Sequence, residues 1–531
     1  MLTMGLEALR RKMLPELGYP VGWTYAGVWE KNWGTHYGTH ITGVSTSSFP
    51  ISGVSTFAAS RPAQYASAAS EVASGEEPRP RRQRAIALVD IDERDCYAVT
   101  VERVRGGAEH TWSFHGPSGP AYVEGVELAP QGGGTVAGPD VPYRDMQHSP
   151  SGDGELRCLN FMPDPKVGDL SGPWQIDHAL AGQDNVHLTV TTLTPREGRL
   201  STSVCSAPGG KSPYEATWCI IQRSGEQPFA SQFLQVLEPW EGQRRVQDVE
   251  LLEVEGGAEG EFPPLALRVQ ADGLTDVIII QPEGGAEVAA GGITTDAEFA
   301  LWREAAGVLQ SAVLVRGTLL RRASSGLSLR HAEYTGTIES CDWPARTVQV
   351  RLEAGGEQRA EVAAPAGQQA TAQIGFVGLS ESDASALVGR HVRITNRAGN
   401  HASHMIVAAD PIDGGVELTL DYDARVGEGP VEEIADGQVT SGVSFSLDHF
   451  GYYGGKTVAN EDGSAAYRFT HLDGRRTCIL DAEHHGEVAA ATLREQFTDR
   501  DGDGLTRMIL YDYGPGDTVT IPCWAVLSRQ R

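Results

Sequence analysis

Alternation of apolar and polar residues with a period of two dominates the chain and predicts β-strands. Segments such as AIALVDID (85–92), CYAVTVERV (96–104) and ATWCIIQR (216–223) are rich in Val, Ile, Ala and Thr, and turn residues separate them. The clear helical pattern near the start is LEALRRKML (6–14), which Pro15 closes. No helical runs alternate with the predicted strands, which disfavours βαβ units. We therefore expect an all-β protein built on a large antiparallel sandwich, with a short helical N-terminal segment.

A change of pattern near residue 330 indicates further domains. A chain of 531 residues is too long for one core, and its length suggests about three to four domains. Strands predicted in 334–352, 389–396 and 414–423 suit a small barrel, and the acidic EGPVEEIADG (428–437) is interpreted as a linker. The predicted order is a helical junction segment (1–30), a β-supersandwich (31–328), a small barrel-like domain (329–436) and a C-terminal β domain (437–531).

The amino-acid composition and net charge of the chain exclude some classes of function. The 63 glycines and 29 prolines suit many strands joined by turns. A net charge of −27 argues against general binding to nucleic acid or an anionic membrane, so an acidic ligand needs a local basic patch. Seven widely spaced cysteines without a CxxC motif indicate neither a disulfide framework nor a zinc knuckle. No segment is apolar enough to span a membrane, and the start lacks the apolar core of a signal peptide.

The densest basic cluster is EEPRPRRQR (76–84). It is either a solvated connection into the following strand or a patch that offsets the global negative charge near an acidic ligand. On the second interpretation Arg81 and Arg82 are candidate substrate-binding residues. Trp33, in the aromatic segment before the first candidate histidine, is a third.

The run ALVDIDERDCYAVTVERVRGGAEHTWSFHGPSG (87–119) resembles the β-sandwich region of the heparinase II/III-like polysaccharide lyases. The matching positions are Val89-Asp90, Tyr97, Val99, Arg103-Val104, Gly106-Gly107, His110 and His115-Gly116. Shorter matches follow in the family's order in 138–145, 192–195, 233–242, 275–280 and 317–320. Family members place an α/α toroid before the sandwich. This chain is similar to the sandwich part alone, and LPELGYPVGWTYAG (14–27) is similar to the junction after the toroid.

The resemblance implies β-elimination at a uronate, in which histidine suits either proton-transfer step. In the family a histidine projects from the sandwich into the cleft that faces the toroid. Within NWGTHYGTHITG (32–43), His40 is the best match, although Ile41 replaces the usual Asn, and His36 is a second alignment. Tyr37 is the third catalytic candidate, but it and His40 are expected on opposite strand faces. The alternative is that both histidines merely bond to backbone.

The sequence contains candidate residues for two metal sites. The resemblance implies a structural metal, typical of zinc chemistry, held by two histidines and an aspartate, for which His115 and either His36 or His40 are candidates. No acid stands between residues 41 and 70, where the aspartate is expected, so Asp90 or Asp92 would have to replace it. The alternative is that His115 only hydrogen-bonds at a strand end. Separately, DRDGDG (499–504) places Asp499, Asp501 and Asp503 as in the first half of a calcium loop, although Leu510 stands where an EF-hand has glutamate. That stretch is either a calcium loop or a polar turn. No organic cofactor is expected.

The expected function is that of a polysaccharide lyase-related protein acting on acidic polysaccharide, with His40 as acid or base. The alternatives are a non-catalytic carbohydrate-binding protein and the truncated sandwich portion of such a lyase. Full chemistry needs groups on both sides of the sugar, which a toroid partner chain or a homo-oligomer would supply. Family resemblance implies a secreted or periplasmic protein, whereas the chain start leaves a cytoplasmic location open.

Overall fold

The computed structural model describes residues 4–15, 25–49, 53–72, 78–183, 185–206, 215–257, 260–353, 360–363, 370–374, 384–446, 452–498 and 504–529. Strands dominate, which confirms the all-β prediction. The chain forms two compact units, the first comprising Met1–Phe49, Ser60–Thr294 and Glu298–Val313, and the second comprising Pro50–Ala59, Thr295–Ala297 and Leu314–Arg531. The boundaries of the four predicted domains stay predictions. Among the described residues, no helix combines the length and the apolar character needed to cross a membrane.

The strands are numbered in chain order. The first sixteen are β1 (Leu6–Ala8), β2 (Arg11–Leu14), β3 (Gly38–Ile41), β4 (Thr56–Ala59), β5 (Ala63–Glu71), β6 (Arg81–Asp90), β7 (Cys96–Arg105), β8 (Glu109–Ser118), β9 (Ala121–Glu124), β10 (Ala129–Pro130), β11 (Lys166–Leu170), β12 (Trp174–Ala179), β13 (Val186–Thr194), β14 (Gly198–Ser206), β15 (Glu215–Ser224) and β16 (Ala230–Glu241).

The remaining strands follow. They are β17 (Val246–Leu252), β18 (Glu255–Gly256), β19 (Leu265–Ala271), β20 (Leu274–Ile280), β21 (Val288–Ala290), β22 (Ile293–Thr295), β23 (Phe299–Ala305), β24 (Val308–Val315), β25 (Leu319–Arg322), β26 (Ser325–Leu329), β27 (Glu333–Asp342), β28 (Thr347–Leu352), β29 (Ala360–Ala363), β30 (Ala370–Ile374), β31 (His391–Thr395), β32 (His401–Ile412), β33 (Gly415–Leu420), β34 (Arg425–Ala435), β35 (Gln438–Ser441), β36 (Thr457–Asn460), β37 (Ala466–Asp473), β38 (Thr477–Leu480), β39 (Arg507–Tyr511), β40 (Thr518–Pro522) and β41 (Trp524–Arg529).

Helical segments are short. The α-helices found among the described residues are α1 (Ala482–His485) and α2 (Ala490–Gln496), both in the second unit. The described 3-10 helices are Trp33–Thr35, Thr46–Ser48, Pro150–Gly152, Gly154–Phe161 and Ala384–Leu387, and Ala26–Glu30 forms one π-helical turn.

The first unit is built on an antiparallel sandwich. One layer, the site sheet, has the strand order β10-β11-β14-β15-β8-β3, and the facing sheet contains β5-β6-β7-β16-β13-β12-β9. Inward side chains from both layers form one core, in which the Trp112 ring stacks on Phe114 and Phe233 at centroid distances of 5.7 and 5.9 Å. Each such aromatic side chain contributes roughly 1.5–3 kcal/mol through burial. Further antiparallel strands of this unit run in the order β17-β19-β20-β23-β24.

The outer face of the site sheet is also buried, because residues 25–36 and 131–163 lie over it. These two segments are called the cover. Trp29 of the cover stacks on Phe161 at 5.6 Å and approaches Trp218 of β15 at 5.4 Å. Because the cover shields one face and the core the other, β8 is buried along nearly its whole length. Polar side chains of the site sheet therefore lie in an interior environment.

The second unit contains two closed barrels, with strand orders β27-β28-β33-β32-β31-β40 and β34-β35-β38-β37-β36-β39. The segments 334–352, 389–396 and 414–423 do supply strands of the first barrel, and β40 completes it from near the end of the chain. The predicted linker 428–437 is wrong, because most of it lies in β34. Val431 and Ile434 are buried there while the acidic residues face outward, so the negative charge marks an exposed strand face.

The predicted N-terminal helix is also wrong. Residues 6–14 form the hairpin β1–β2, in which Leu6 pairs with Leu14. Leu9 and Arg10 form its two-residue turn with φ of 52° and 58°, the backbone twist that suits a tight hairpin. Met13 and Leu14 are buried in the sandwich core. Packing of these side chains thus overrides the helical spacing of the apolar positions.

Candidate functional site

His40 lies on β3, at the edge of the site sheet, opposite Thr111 of β8. Its side chain is under the cover and has no exposed surface. The Trp33 ring stacks on the imidazole at 5.1 Å and 15°, and the Trp33 indole N–H donates to the Glu155 carbonyl at 3.0 Å. The structure therefore brings the candidates Trp33 and His40 together. It places them inside the protein rather than at an open cleft.

Two carboxylates of the cover contact the His40 ring. Nε2 is 2.8 Å from Asp153 Oδ2, and Nδ1 is 3.5 Å from Glu155 Oε2. Asp153 also accepts the Gly43 amide at 2.8 Å and the Glu155 amide at 2.8 Å. Burial alone would raise the pKa of Asp153, but these hydrogen bonds, together with the one from His40, hold it below its ordinary value. Asp153 is therefore an ionised acceptor.

The His40 ring is neutral in this environment. Burial lowers the pKa of His40, and Asp153 and Glu155 oppose that shift only in part. Because Asp153 accepts a hydrogen bond, Nε2 carries the ring proton and donates it, and Nδ1 is left as a proton acceptor. The arrangement is a histidine–aspartate dyad that can transfer a proton. With the cover in place, the His40 ring has no exposed surface, whereas the Asp153 side chain is 11% exposed.

Of the two basic candidates, only Arg82 lies near His40. Its side chain is 3% exposed, and its guanidinium lies 4.3 Å from the centre of the Phe49 ring. Burial lowers the pKa of Arg82 to about 10, although Glu102 and Glu155 act against that shift. Arg81 points the other way and donates to Glu283 at 2.8 Å. Adjacent residues on a strand face opposite sides, so the two arginines do not form one patch.

Tyr37 and His36 are not placed as partners of His40. Tyr37 points into the sandwich core, where its hydroxyl donates to Gln235 at 2.6 Å, and burial raises its pKa well above the ordinary value. Tyr37 and His40 thus lie on opposite sides of the site sheet, as the strand geometry predicted. His36 is half-buried and close enough to His115 to contribute to the lowered pKa of that residue.

The predicted zinc ligands are brought together only in part, because His36 lies near His115 but Asp90 does not. His115 donates from Nδ1 to the Gly116 carbonyl at 3.0 Å and packs on Trp218 at 4.6 Å, and burial lowers its pKa to about 4. Asp90 ends β6 on the facing sheet, whereas His115 lies on the site sheet. Within the described part of the chain, no group of three or more His, Cys, Asp or Glu side chains is placed to hold a metal.

The calcium candidates Asp499, Asp501 and Asp503 lie outside the described residues. The zinc and calcium sites therefore stay predictions.

A pocket of about 710 Å³ lies beside His40. Its lining includes Thr111, Gln222 and Arg199, which pair in register across β8, β15 and β14, and His40 pairs with Thr111 at the other end of the same row. Directly paired residues share a sheet face, so the four side chains form one row on the outer face. The row runs from buried His40 to exposed Arg199 over about 14 Å, three strand spacings of about 4.8 Å.

The pocket carries both signs of charge. Glu109, Glu197, Arg199 and Arg223 all contribute to its lining. Arg199 donates to Gln131 at 3.0 Å, and Arg223 pairs with Glu197 at 2.9 Å. The two acidic and two basic side chains balance each other here, whereas the chain as a whole has a net charge of −27. The pocket can therefore accept an anionic group more readily than the surface at large.

A hydrogen-bonded chain fixes one wall of this pocket. Arg223 Nη1 donates to the Ser231 hydroxyl at 2.8 Å, and Ser231 lies 2.8 Å from His110 Nδ1. His110 Nε2 donates to the Gly106 carbonyl at 2.8 Å. Burial lowers the pKa of His110 to about 4, so the ring is neutral and accepts from Ser231. The orientation of Arg223 is thus set by buried groups.

Sequence reasoning missed four residues of this region, namely Asp153, Glu155, Arg199 and Arg223. Asp153 lies 113 positions from its partner His40 and belongs to a loop rich in Gly, Pro and Ser. Arg223 ends the predicted strand 216–223, whereas Arg199 lies in no predicted strand, and neither arginine has a basic residue next to it, so no local pattern singled them out. The only local signal was the Asp-Gly-Glu turn at 153–155, which is typical of a helix start.

No protein-family model matches this chain, and a comparison with curated proteins finds no match either. The resemblance to heparinase II/III-like lyases therefore rests on the quoted residues and stays a prediction.

Proposed function

We propose that this chain is a polysaccharide lyase-related protein that binds uronate-containing polysaccharide in the pocket beside His40. The observation that carries the proposal is the row of paired polar side chains that runs along the pocket floor to exposed Arg199. The pocket volume of about 710 Å³ is typical of a small-molecule site. The sandwich fold is the one that the family resemblance implies. Such a protein meets its ligand outside the cytoplasm, so we propose a secreted or periplasmic location.

Charge supports an acidic ligand at this position. The surface as a whole repels polyanions, because the net charge is −27. Arg199 and Arg223 offer the planar donors that carboxylates accept in pairs. Arg81 and Arg82 cannot fill this role together, since Arg82 is buried and Arg81 is paired with Glu283. We therefore assign carboxylate binding to the pocket arginines.

Calorimetric titration of the purified chain with a panel of uronate oligosaccharides tests the proposal. Arg199→Gln should weaken binding by about tenfold or more, the effect of losing one charge-assisted hydrogen bond. Arg268→Gln is the matched control, because Arg268 lies on β19, is half-buried, and pairs with Glu250 instead of lining the pocket. Binding that both variants retain equally would contradict the proposed site. Absence of binding by the natural chain would contradict the function itself.

A second candidate is β-elimination, with His40 as acid or base. The His40–Asp153 hydrogen bond favours it, because it holds a neutral imidazole in line with the pocket floor. Elimination would require the cover to open and a toroid partner chain or a second copy to supply groups across the sugar. The test is the rise in ultraviolet absorbance of the unsaturated product. His40→Gln should abolish that rise and preserve binding, whereas a flat trace with the natural chain leaves binding as the function.

A further inference from the structure

The two members of the Arg223–Glu197 ion pair differ in how firmly they are held. The Arg223 side chain is 12% exposed and the Glu197 side chain 83% exposed, and the two are joined at 2.9 Å. Arg223 also donates to Ser231 at 2.8 Å and lies 5.0 Å from the centre of the Phe229 ring. Within the described residues, the Arg223 contact is the only one found for the Glu197 carboxylate. The guanidinium is fixed, whereas the carboxylate is held at one point.

An exposed ion pair of this kind contributes little, because solvent screens it and the ordering of the acidic side chain opposes it. Another carboxylate can therefore replace Glu197 at small cost. Arg223 is already oriented by Ser231 and, through it, by His110, so a replacing group meets a preorganised donor. Both residues line the pocket, which makes the exchange accessible to a bound ligand.

We infer that Glu197 occupies the place of the ligand carboxylate on Arg223 and is displaced when a uronate binds. This inference rests on the proposed function and deepens it, since it assigns Arg223 as the group that reads the uronate carboxylate. Glu197 then acts as a built-in competitor. After displacement the Glu197 carboxylate remains near the ligand carboxylate and repels it. The pocket therefore prefers a charged ligand to a neutral one, but binds it less tightly than Arg223 alone would.

The test compares the natural chain with Glu197→Gln on two probes, a uronate oligosaccharide and its carboxyl-reduced, neutral counterpart. Glu197→Gln removes the competing charge and should tighten uronate binding about threefold to tenfold. Binding of the neutral probe should not change. Glu250→Gln is the matched control, because Glu250 is also an exposed partner of an arginine, Arg268, and does not line the pocket.

Arg223→Lys provides the second arm. Lysine keeps the positive charge but loses the planar fork, so preference for the uronate over the neutral probe should fall towards equality. Weaker uronate binding by Glu197→Gln would overturn the inference and make Glu197 a direct ligand of sugar hydroxyls. Unchanged binding would overturn it as well, while the proposed function would stand. If the natural chain binds neither probe, the proposed function fails and the inference falls with it.

Discussion

His178 is a buried histidine that has no hydrogen bond to any residue in the described part of the chain. It lies on β12 with 1% of its surface exposed, and neither ring nitrogen has a partner among the described residues. Its ring meets Phe114 edge-on at 5.5 Å, and a side chain at Gly116 would come within 2.4 Å of it. Burial lowers the pKa of His178 to about 3. Replacement by leucine, which is similar in volume and does not titrate, should therefore change stability in a pH-dependent way.

The direction and size of this pH effect follow from the difference in proton binding between the folded and unfolded states. The pKa of His178 is lower in the folded state than its ordinary value of about 6.5, so the unfolded state binds the proton first as pH falls. The contribution of His178 to stability is intact above about pH 6.5 and is lost progressively as pH falls towards 3. At pH 5 this loss is about 2 kcal/mol, and at pH 7.5 it is close to zero. His178→Leu should not show this loss of stability at low pH. Its free energy of unfolding should also rise, because the unpaired buried nitrogens are removed.

The assay is hydrogen exchange in increasing urea, followed by mass spectrometry of peptides from β12 and β13, so that opening of the first unit is read directly. Between pH 7.5 and pH 5, the natural chain should lose about 2 kcal/mol more unfolding free energy than His178→Leu. His148→Leu is the control for the substitution itself, because His148 is exposed. Equal pH dependence in the natural chain and His178→Leu would refute the reasoning. A large destabilisation at pH 7.5 would show that the ring nitrogens are satisfied.

Two further predictions concern packing and charge in the first unit. Asp276→Asn should lower the free energy of unfolding in urea by about 3–5 kcal/mol. Asp276 is fully buried and accepts two hydrogen bonds from Arg303, which the substitution would leave as an unpaired buried charge. The control Asp272→Asn, at an exposed ion pair, should change the free energy of unfolding little. Gly34→Ala should lower the free energy of unfolding by about 1–3 kcal/mol, because the new Cβ would lie 2.6 Å from Cys158 Sγ. In a double-mutant cycle, adding Cys158→Ala to the same chain should restore part of that free energy.

Strands could be predicted because their signal is local. The predicted strand 96–104 corresponds to β7 (Cys96–Arg105), where alternation and β-branched residues point to the same answer. The hairpin at residues 6–14 could not be predicted, because the spacing of Leu6, Leu9 and Met13 fits a helix equally well. Only the burial of Met13 and Leu14 in the core decides between the two.

The site was predictable only in part. The Thr-His-Ile-Thr pattern placed His40 on a strand, and the structure has it on β3. Its burial and its partners depend on a cover that comes from two distant parts of the chain. Asp153 is 113 positions away from His40, and the sequence around Asp153 contains no pattern that predicts a histidine partner. Periodicity defines elements, whereas contacts between loops and sheets depend on the whole fold.

The cover decides between the two candidate functions. Trp33 stacks on His40 and belongs to one buried cluster with Trp29 and Phe161, so lifting the cover as a unit exposes all three side chains. At roughly 1.5–3 kcal/mol for each aromatic side chain, opening costs about 5–9 kcal/mol. A state that costly is populated below about one part in a thousand unless a ligand or partner binds it preferentially. Arg199 is exposed at the other end of the row and requires no such opening, so the proposed binding needs no rearrangement of the cover, whereas the proposed elimination does.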